Sequence, residues 1–243
     1  MRIASGVEML SLARGFMGSQ GIIHPTLLWN EHDVILVDAG EPGHRQQIMD
    51  EMKQVGVEPR GLNRIILTHQ DIDHIGGVPD IKNDTSQKIE ILAHEADRPS
   101  IEGTQPLLKV KAIKDRLLSD DPKRKEVESL LANPPKTIVD VVVEDGEVLP
   151  FLGGMTVIHT PGHTPGHISL YLKQSKILIT GDAMVVQGGK LQKPPAQFTP
   201  DMDTAARSIR KLAHYDIQTI ICYHGGAIVD HANQALAELI QEL

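Results

Sequence analysis

A dense group of metal-binding residue types lies in residues 68–77, which read THQDIDHIGG. This segment contains His69, Asp71, Asp73 and His74. Buried charges need partners, and the natural partner for converging Asp and His side chains is a divalent metal ion. The alternative for this segment alone is a helix cap followed by surface histidines, because Asp is favoured where helices start. We interpret the segment as a metal site in which Asp73 and His74 lie in the first turn of a helix.

Three further positions place His or Asp just after a predicted strand. His163 lies in the Pro- and Gly-rich loop TPGHTPGH, and Asp182 and His224 each follow an apolar run. In α/β sheets the functional groups cluster at the carboxyl ends of the strands. A lone histidine is more often structural than a ligand, but four strand ends that each supply His or Asp predict one metal centre.

Short apolar runs alternate with segments of helical periodicity, which indicates an α/β fold. Asp38 ends one of the predicted strands and is interpreted either as support for the metal site or as a turn residue. His94 also follows a strand and is expected nearer the pocket than His159, His167 and His214, which are interpreted as structural. Strands are predicted within 2–12 and 21–38 and at 65–67, 89–92, 138–143, 147–150, 155–159, 168–172, 176–180 and 218–222, and helices at 44–55, 204–214 and 229–242.

Residues 95–135 differ from the rest of the chain in being charged and rich in Lys, Asp and Pro. Two amphipathic helices are predicted there, near 106–118 and 123–132. We interpret the region as a helical insertion packed over the sheet near the mouth of the site, where a lid would determine substrate preference. A solvated pair of structural helices is the alternative, since charged helix faces usually contact only water.

Composition limits the classes of function. The 243 residues are 40% apolar, which suits a single domain spanning residues 1–243 with a substantial core. A net charge of −8 argues against binding a nucleic-acid polymer. We expect no membrane partner, because there is no long apolar stretch or signal peptide. A single cysteine, Cys222, allows no intrachain disulfide and fits a cytoplasmic location. A homodimer is compatible with these features.

The motifs THQDIDH, TPGH, GD and YHGG, together with VDAG at 37–40, resemble the metallo-β-lactamase superfamily, in particular its glyoxalase II-like hydrolases. The resemblance runs over nearly the whole chain except the insertion. It implies an αββα sandwich of two mixed sheets flanked by helices, with two metals along one edge. It implies that His69, Asp71 and His163 bind the first metal, that Asp73, His74 and His224 bind the second, and that Asp182 bridges them.

One residue departs from the family pattern His-x-His-x-Asp-His, because Asp71 stands at the second histidine. With three carboxylates and a bridging hydroxide, the charge around two divalent ions would sum to about zero instead of about plus one. Carboxylate oxygen is harder than imidazole nitrogen, so the metal preference moves from zinc toward manganese or iron, with all three as candidates. The flavodiiron proteins of the superfamily carry Glu here, and the nuclease-like domain of competence-type DNA-uptake proteins carries His-x-Asp-x-Asp-His. In the alternative, Asp71 turns away and one metal binds.

The reaction predicted from these motifs is metal-assisted hydrolysis of a small molecule. A hydroxide bridging the metals would attack an ester, lactone, thioester or phosphoester, and Asp73 would orient it and transfer its proton to the leaving group. Tyr223 is a second candidate proton donor. The alternatives are a non-haem di-iron oxidoreductase that reduces O₂ or NO with a separate electron donor, and a metal-stabilised binding protein without turnover.

Two absences in the sequence argue against particular substrates. A glutathione thioester is disfavoured, because no Lys or Arg follows His224 that could contact the carboxylates of glutathione. A homoserine lactone is disfavoured, because residues 183–185 read AMV and lack the tyrosine that lactonases of the superfamily carry shortly after the bridging Asp.

Overall fold

A computed structural model describes residues 1–84 and 87–243, and for Met17 it describes the backbone only. Its apolar side chains form three separate clusters. One cluster lies between two β-sheets, and each of the other two lies between the outer face of one sheet and helices. The layer order is therefore helix, sheet, sheet, helix, as the resemblance implies.

The first sheet has the strand order β1-β2-β5-β6-β7-β8-β9, and β6 to β9 pair in parallel. β3 and β4 form a separate hairpin. The bounds are β1 Arg2–Ala4, β2 Val7–Met9, β3 Leu12–Ala13, β4 Ile22–Ile23, β5 Thr26–Trp29, β6 Val34–Val37, β7 Arg64–Ile66, β8 Glu90–His94 and β9 Val141–Val143.

The second sheet has the order β10-β11-β12-β13-β16-β17, and its pair β13–β16 is parallel. β14 and β15 form another hairpin. The bounds are β10 Val148–Leu149, β11 Met155–His159, β12 Ile168–Leu172, β13 Ile177–Ile179, β14 Val185–Gln187, β15 Lys190–Gln192, β16 Thr219–Cys222 and β17 Gly226–Val229.

The helices cover the outer faces of the sheets. Their bounds are α1 Arg45–Gln54, α2 Ile72–Ile75, α3 Val78–Asn83, α4 Arg98–Ile101, α5 Leu108–Arg116, α6 Arg124–Ala132, α7 Met202–Leu212 and α8 Ala232–Gln241. Short 3₁₀ turns occur at Phe16–Gly18, Pro59–Gly61 and Ala196–Phe198. In the described part of the chain, no helix has the length and apolarity needed to cross a bilayer.

Strand residues alternate between the layers, as a period of two requires. In β6, Ile35 and Val37 lie between the sheets, whereas Leu36 packs on the helix side. In β16, Ile221 lies between the sheets and Ile220 packs beneath α7 and α8. Because every such residue is buried, these strands read as continuous apolar runs and not as alternating patterns.

Two segments in the second half of the chain differ from the sequence prediction. The predicted helix at 229–242 begins at Ala232, because residues 226–229 instead form β17 against β16. The hairpin of β14 and β15 was not predicted. Both segments are short and contain Gly, so neither has enough periodicity to distinguish a strand from a loop.

The layer between the sheets provides a test of the fold. Ile66 is fully buried there, so Ile66→Ala leaves a cavity and should lower the free energy of unfolding by about 2–5 kcal/mol in chemical denaturation. The same truncation at Ile138, which is 65% exposed, should change it by less than about 0.5 kcal/mol. Equal losses at the two positions would contradict this layer assignment.

Candidate metal centre

Loops at the ends of both sheets bring their His and Asp side chains together at one edge of the sandwich. The loop after β7 and the helix α2 supply four residues, the loop after β11 supplies one, and the ends of β13 and β16 supply one each. These residues are His69, Asp71, Asp73, His74, His163, Asp182 and His224, and they form two groups whose candidate ligand atoms lie within 4.8 Å of one another.

The first group comprises His69, Asp71, His163 and Asp182. Asp71 Oδ2 lies 3.0 Å from His69 Nε2 and 3.1 Å from His163 Nε2. The Asp71 side chain therefore points into the group. His163 is further held by its Nδ1, which lies 3.3 Å from the hydroxyl of Thr199.

The second group comprises Asp73, His74 and His224. His224 Nε2 lies 3.5 Å from Asp73 Oδ2. Asp73 and His74 both lie within the single turn of α2, so their positions relative to each other are set by helix geometry. This location agrees with the sequence prediction for both residues.

Asp182 lies between the two groups. Its Oδ2 is 3.1 Å from His163 Nε2 and 3.4 Å from His224 Nε2, and its Oδ1 is 3.4 Å from His74 Nε2. Within residues 1–84 and 87–243, His74 Nε2 and Asp182 Oδ1 are buried polar atoms that form no hydrogen bond. Such atoms are costly to bury unless something else binds them. Because a neutral imidazole nitrogen and a carboxylate oxygen are both metal ligands, this donor set fits divalent ions.

The charges of the cluster depend on one another. Burial alone raises the pKa of Asp71 and of Asp182, but the Lys109 ammonium beside Asp71 and the histidines around Asp182 hold both pKa values well below the ordinary range. Burial alone lowers the pKa of His224, whereas the Asp182 carboxylate raises it, with a net increase to about 9. The site therefore favours ionised carboxylates, which is the form that binds metal.

Asp38 orients the second group. Its Oδ2 accepts a hydrogen bond from His74 Nδ1 at 2.9 Å and from the Thr68 hydroxyl at 2.8 Å, and its Oδ1 accepts from the Thr68 backbone N–H. Because Nδ1 of His74 is engaged in this way, Nε2 is the atom that faces Asp182. A carboxylate behind a ligating histidine is the usual arrangement at metal sites.

His167 fixes the backbone at Asp182. Burial and the neighbouring His69 lower the pKa of His167 well below its ordinary value, so its ring stays neutral. The neutral Nε2 accepts the backbone N–H of Asp182 at 2.9 Å, while Nδ1 lies 2.9 Å from the Thr160 hydroxyl. The sequence interpretation of His167 as structural is correct in kind, but its contact with Asp182 could not be predicted.

Asp97 ties the two ligand loops together. It is buried and accepts four hydrogen bonds, from the backbone N–H and side-chain amide of Gln70, from the Thr164 hydroxyl and from the Gly166 N–H. Gln70 lies between His69 and Asp71, and Thr164 follows His163. Any side chain at position 166 would collide with Asp97, because a Cβ there would lie 2.5 Å from its backbone nitrogen.

The start of α5, in the 95–135 region, lies against the candidate metal centre. Leu108, at the start of α5, donates its backbone N–H to the side-chain oxygen of Gln70 at 3.0 Å. The next residue, Lys109, extends its ammonium to Asp71 Oδ2 and to His163 Nε2. The region therefore contributes a charged group to the site itself.

A second cation lies on the other side of the cluster. Arg14 places a guanidinium nitrogen 3.2 Å from Asp73 Oδ2 and binds Glu41 through Nε at 2.9 Å. Buried Glu41 also accepts hydrogen bonds from the backbone of Gly15 and Phe16 and from the Ser19 hydroxyl. These bonds fix the loop that positions Arg14.

Not every residue considered from the sequence joins the cluster. His94 stacks on His159 with ring centroids 4.1 Å apart and belongs to neither group. The Tyr223 hydroxyl donates to the backbone carbonyl of Asp73, so it is engaged in holding α2. Sequence reasoning missed Asp97, Lys109 and Arg14. Asp97 lies three residues beyond a strand end and could have been suspected, but no local pattern distinguishes Lys109 from its neighbours.

Comparison with known proteins agrees with this geometry. The sequence model of the metallo-β-lactamase superfamily matches residues 18–224. Over 211 residues the chain is 35% identical to the probable metallo-hydrolase YflN of Bacillus subtilis, covering 80% of this chain and 76% of that protein. It is 29% identical to a hydroxyacylglutathione hydrolase of Mesorhizobium japonicum, covering 84% of this chain and 65% of the relative.

A solved structure supports the same fold. The metallo-β-lactamase family protein TTHA1429 of Thermus thermophilus superposes with a TM-score of 0.76 at 22% identity, covering 99% of this chain and 80% of that one. The family match, the αββα layers and the clustered ligands agree with one another. The chain belongs to the metallo-β-lactamase superfamily of metal-dependent hydrolases.

Proposed function

We propose that the protein is a hydrolase that uses two divalent metal ions to cleave a small ester, lactone, thioester or phosphoester. The observation that carries this proposal is a pair of buried polar atoms, His74 Nε2 and Asp182 Oδ1, that form no hydrogen bond within the part of the chain that the structure describes and lie inside a cluster of ionisable groups. Burying so many ionisable groups costs free energy unless they bind ions.

The ligand set follows the two groups of side chains. His69, Asp71 and His163 would hold the first ion, and Asp182 would contact both. Bound ions would supply Lewis acidity and activate a water molecule for attack. The second ion would be held by Asp73, His74 and His224.

Asp73 is the residue we assign to proton transfer. Its carboxylate has one oxygen within reach of both His224 and Arg14. Burial alone raises its pKa, but hydrogen bonding to His224 and the charge of His74 lower the pKa well below its ordinary value. An ionised Asp73 would orient the attacking water, accept its proton and pass that proton to the leaving group. Arg14 would keep Asp73 in place during this step.

The substrate class is inferred from charge and from relatives. One relative, 31% identical over 68% of this chain and 56% of its own length, is named as an N-acyl homoserine lactonase. Another is the hydroxyacylglutathione hydrolase. Lys109 and Arg14 place cations at the site, although the sequence beyond His224 has none. These cations favour a small substrate with an anionic group.

Metal analysis combined with activity assays tests the proposal. The full chain, purified without chelator, should contain about two zinc, manganese or iron ions, measured by elemental mass spectrometry. Reconstitution with each metal should restore hydrolysis of at least one member of a lactone, thioester and phosphodiester panel. Two iron ions with a redox-sensitive spectrum and no hydrolysis would instead support the di-iron oxidoreductase.

Asp182→Ala should reduce bound metal and hydrolysis together, because Asp182 contacts ligands of both groups. We expect the metal content to fall by at least one ion and kcat/KM by about 100-fold or more. Asp120→Ala removes an exposed carboxylate and should change neither quantity. Full metal content in folded Asp182→Ala would contradict the bridging role.

Asp97→Asn should weaken metal binding without removing a ligand. An amide NH₂ in place of one carboxylate oxygen would face donors on Gln70, Thr164 or Gly166 and so loosen both ligand loops. Positioning residues of this kind typically change metal affinity by about 10–100-fold. The measurement is a zinc titration of folded Asp97→Asn, with Asp120→Asn as the control. A loss of stability with unchanged zinc affinity would show that Asp97 is structural only.

A further inference from the structure

Lys109 contacts the side chains that the first metal ion would need. Its ammonium donates to Asp71 Oδ2 and also contacts His163 Nε2. The same two atoms lie 3.1 Å apart and belong to the first candidate group. An ammonium and a divalent cation cannot share these atoms, because both are positive and both need the same lone pairs.

The position of Lys109 is built into the fold. The backbone N–H of the preceding residue, Leu108, donates a hydrogen bond to the side-chain oxygen of Gln70. Gln70 lies between the candidate ligands His69 and Asp71. Gln70 is itself bonded to Asp97. Nearby, Leu107 and Val110 are buried and hold α5 in the core. The start of α5 is therefore hydrogen-bonded to the metal-binding loop. The Lys109 side chain has several rotatable bonds and is 23% exposed.

This contact involves a departure from the family pattern. Asp71 stands where the family pattern has a histidine, and Lys109 lies on α5 in the 95–135 region. An ammonium forms a strong charge-assisted hydrogen bond with a carboxylate, whereas a neutral imidazole offers only one uncharged acceptor. The carboxylate at position 71 and the lysine at position 109 therefore suit each other.

We propose that Lys109 is an intrinsic competitor for the first metal position, paired with Asp71, so that the two metal positions differ in affinity. This inference rests on the ligand set proposed above. The position of Asp73, His74 and His224 has a cation on one ligand atom only, since Arg14 contacts Asp73 Oδ2, whereas Lys109 contacts ligand atoms of two residues at the first position. The position of Asp73, His74 and His224 is therefore occupied first. A metal ion binds at the first position only when the Lys109 side chain leaves Asp71 and His163. The displaced ammonium then remains at the edge of the site.

The test is a zinc titration of the chelator-treated full chain by calorimetry. The unchanged protein should show one tight and one weaker binding event. Lys109→Met keeps a long apolar side chain but removes the charge, and should strengthen the weaker event about tenfold or more, because a buried charge-assisted bond no longer has to be broken. Lys109→Gln should act in the same direction and serves if Lys109→Met does not fold.

Lys111→Met is the matched control. Lys111 lies on the same helix, is exposed, and pairs with Asp115 at 2.6 Å. Its replacement removes an equal charge near the site and should leave both zinc affinities unchanged. If Lys111→Met and Lys109→Met strengthen binding equally, the effect is one of general charge and the competition is refuted.

Ligand variants identify the two binding events. His69→Ala should abolish the weaker event and keep the tight one, whereas His224→Ala should weaken the tight one. In the Asp71→His background, Lys109→Met should have a much smaller effect, since paired residues show non-additive changes.

The outcomes separate the two proposals. Two zinc ions bound with affinities that Lys109→Met leaves unchanged would overturn the competition and keep the dinuclear hydrolase. No binding of zinc, manganese or iron by any variant would overturn both.

Discussion

The burial of carboxylates against imidazoles at the edge where the two sheets meet is the constraint on which the rest of the structure depends. An isolated ionised group would be very costly at such depth, and here each Asp of the cluster faces at least one histidine nitrogen. Asp182 illustrates the arrangement, because histidines from three different loops surround its two oxygens. The sheets position these loops, and the complementary charges of the Asp and His side chains stabilise them at close distance.

A layer of polar contacts behind the cluster gives it a defined geometry. Asp38 holds His74, His167 holds the backbone at Asp182, and Asp97 holds the loops on either side of His69 and His163. Each of these three residues is buried and hydrogen-bonded to more than one partner. A network of this kind is stable because it leaves few unmet donors, and it restricts each ligand to one orientation.

The features of the fold and the site that could be predicted from the sequence are those determined by residues close together in the chain. The strand before His69 and the rigid loop around His163 are encoded in short apolar runs and Gly/Pro positions, and they were predicted correctly. The αββα layers were implied by the family resemblance and are confirmed. The strand β17 was missed because its pattern is too short to differ from a loop. The seven clustered residues were found because each follows a strand.

The contacts of Lys109 and Asp97 are of another kind. They join residues 27 to 69 positions apart, and their partners are fixed only when the sheet edge and the helical region dock. The sequence indicated an amphipathic helix near 106–118 but did not distinguish Lys109 from the other lysines on it. Which lysine turns inward depends on the exact start of α5, and helix boundaries are the least certain feature of any sequence pattern.

The division of the ligands between the two sheets has a consequence for the folding and durability of the molecule. Asp71 and His163 are 92 residues apart in the chain, so their meeting requires that the two halves of the sandwich have already closed on each other. An ion bound between them would act as a non-covalent cross-link between the halves. By linkage, it would add to the stability of the closed sandwich in proportion to the logarithm of its concentration over its dissociation constant. The supply of metal would thereby set the stability of the closed sandwich as well as the amount of active enzyme.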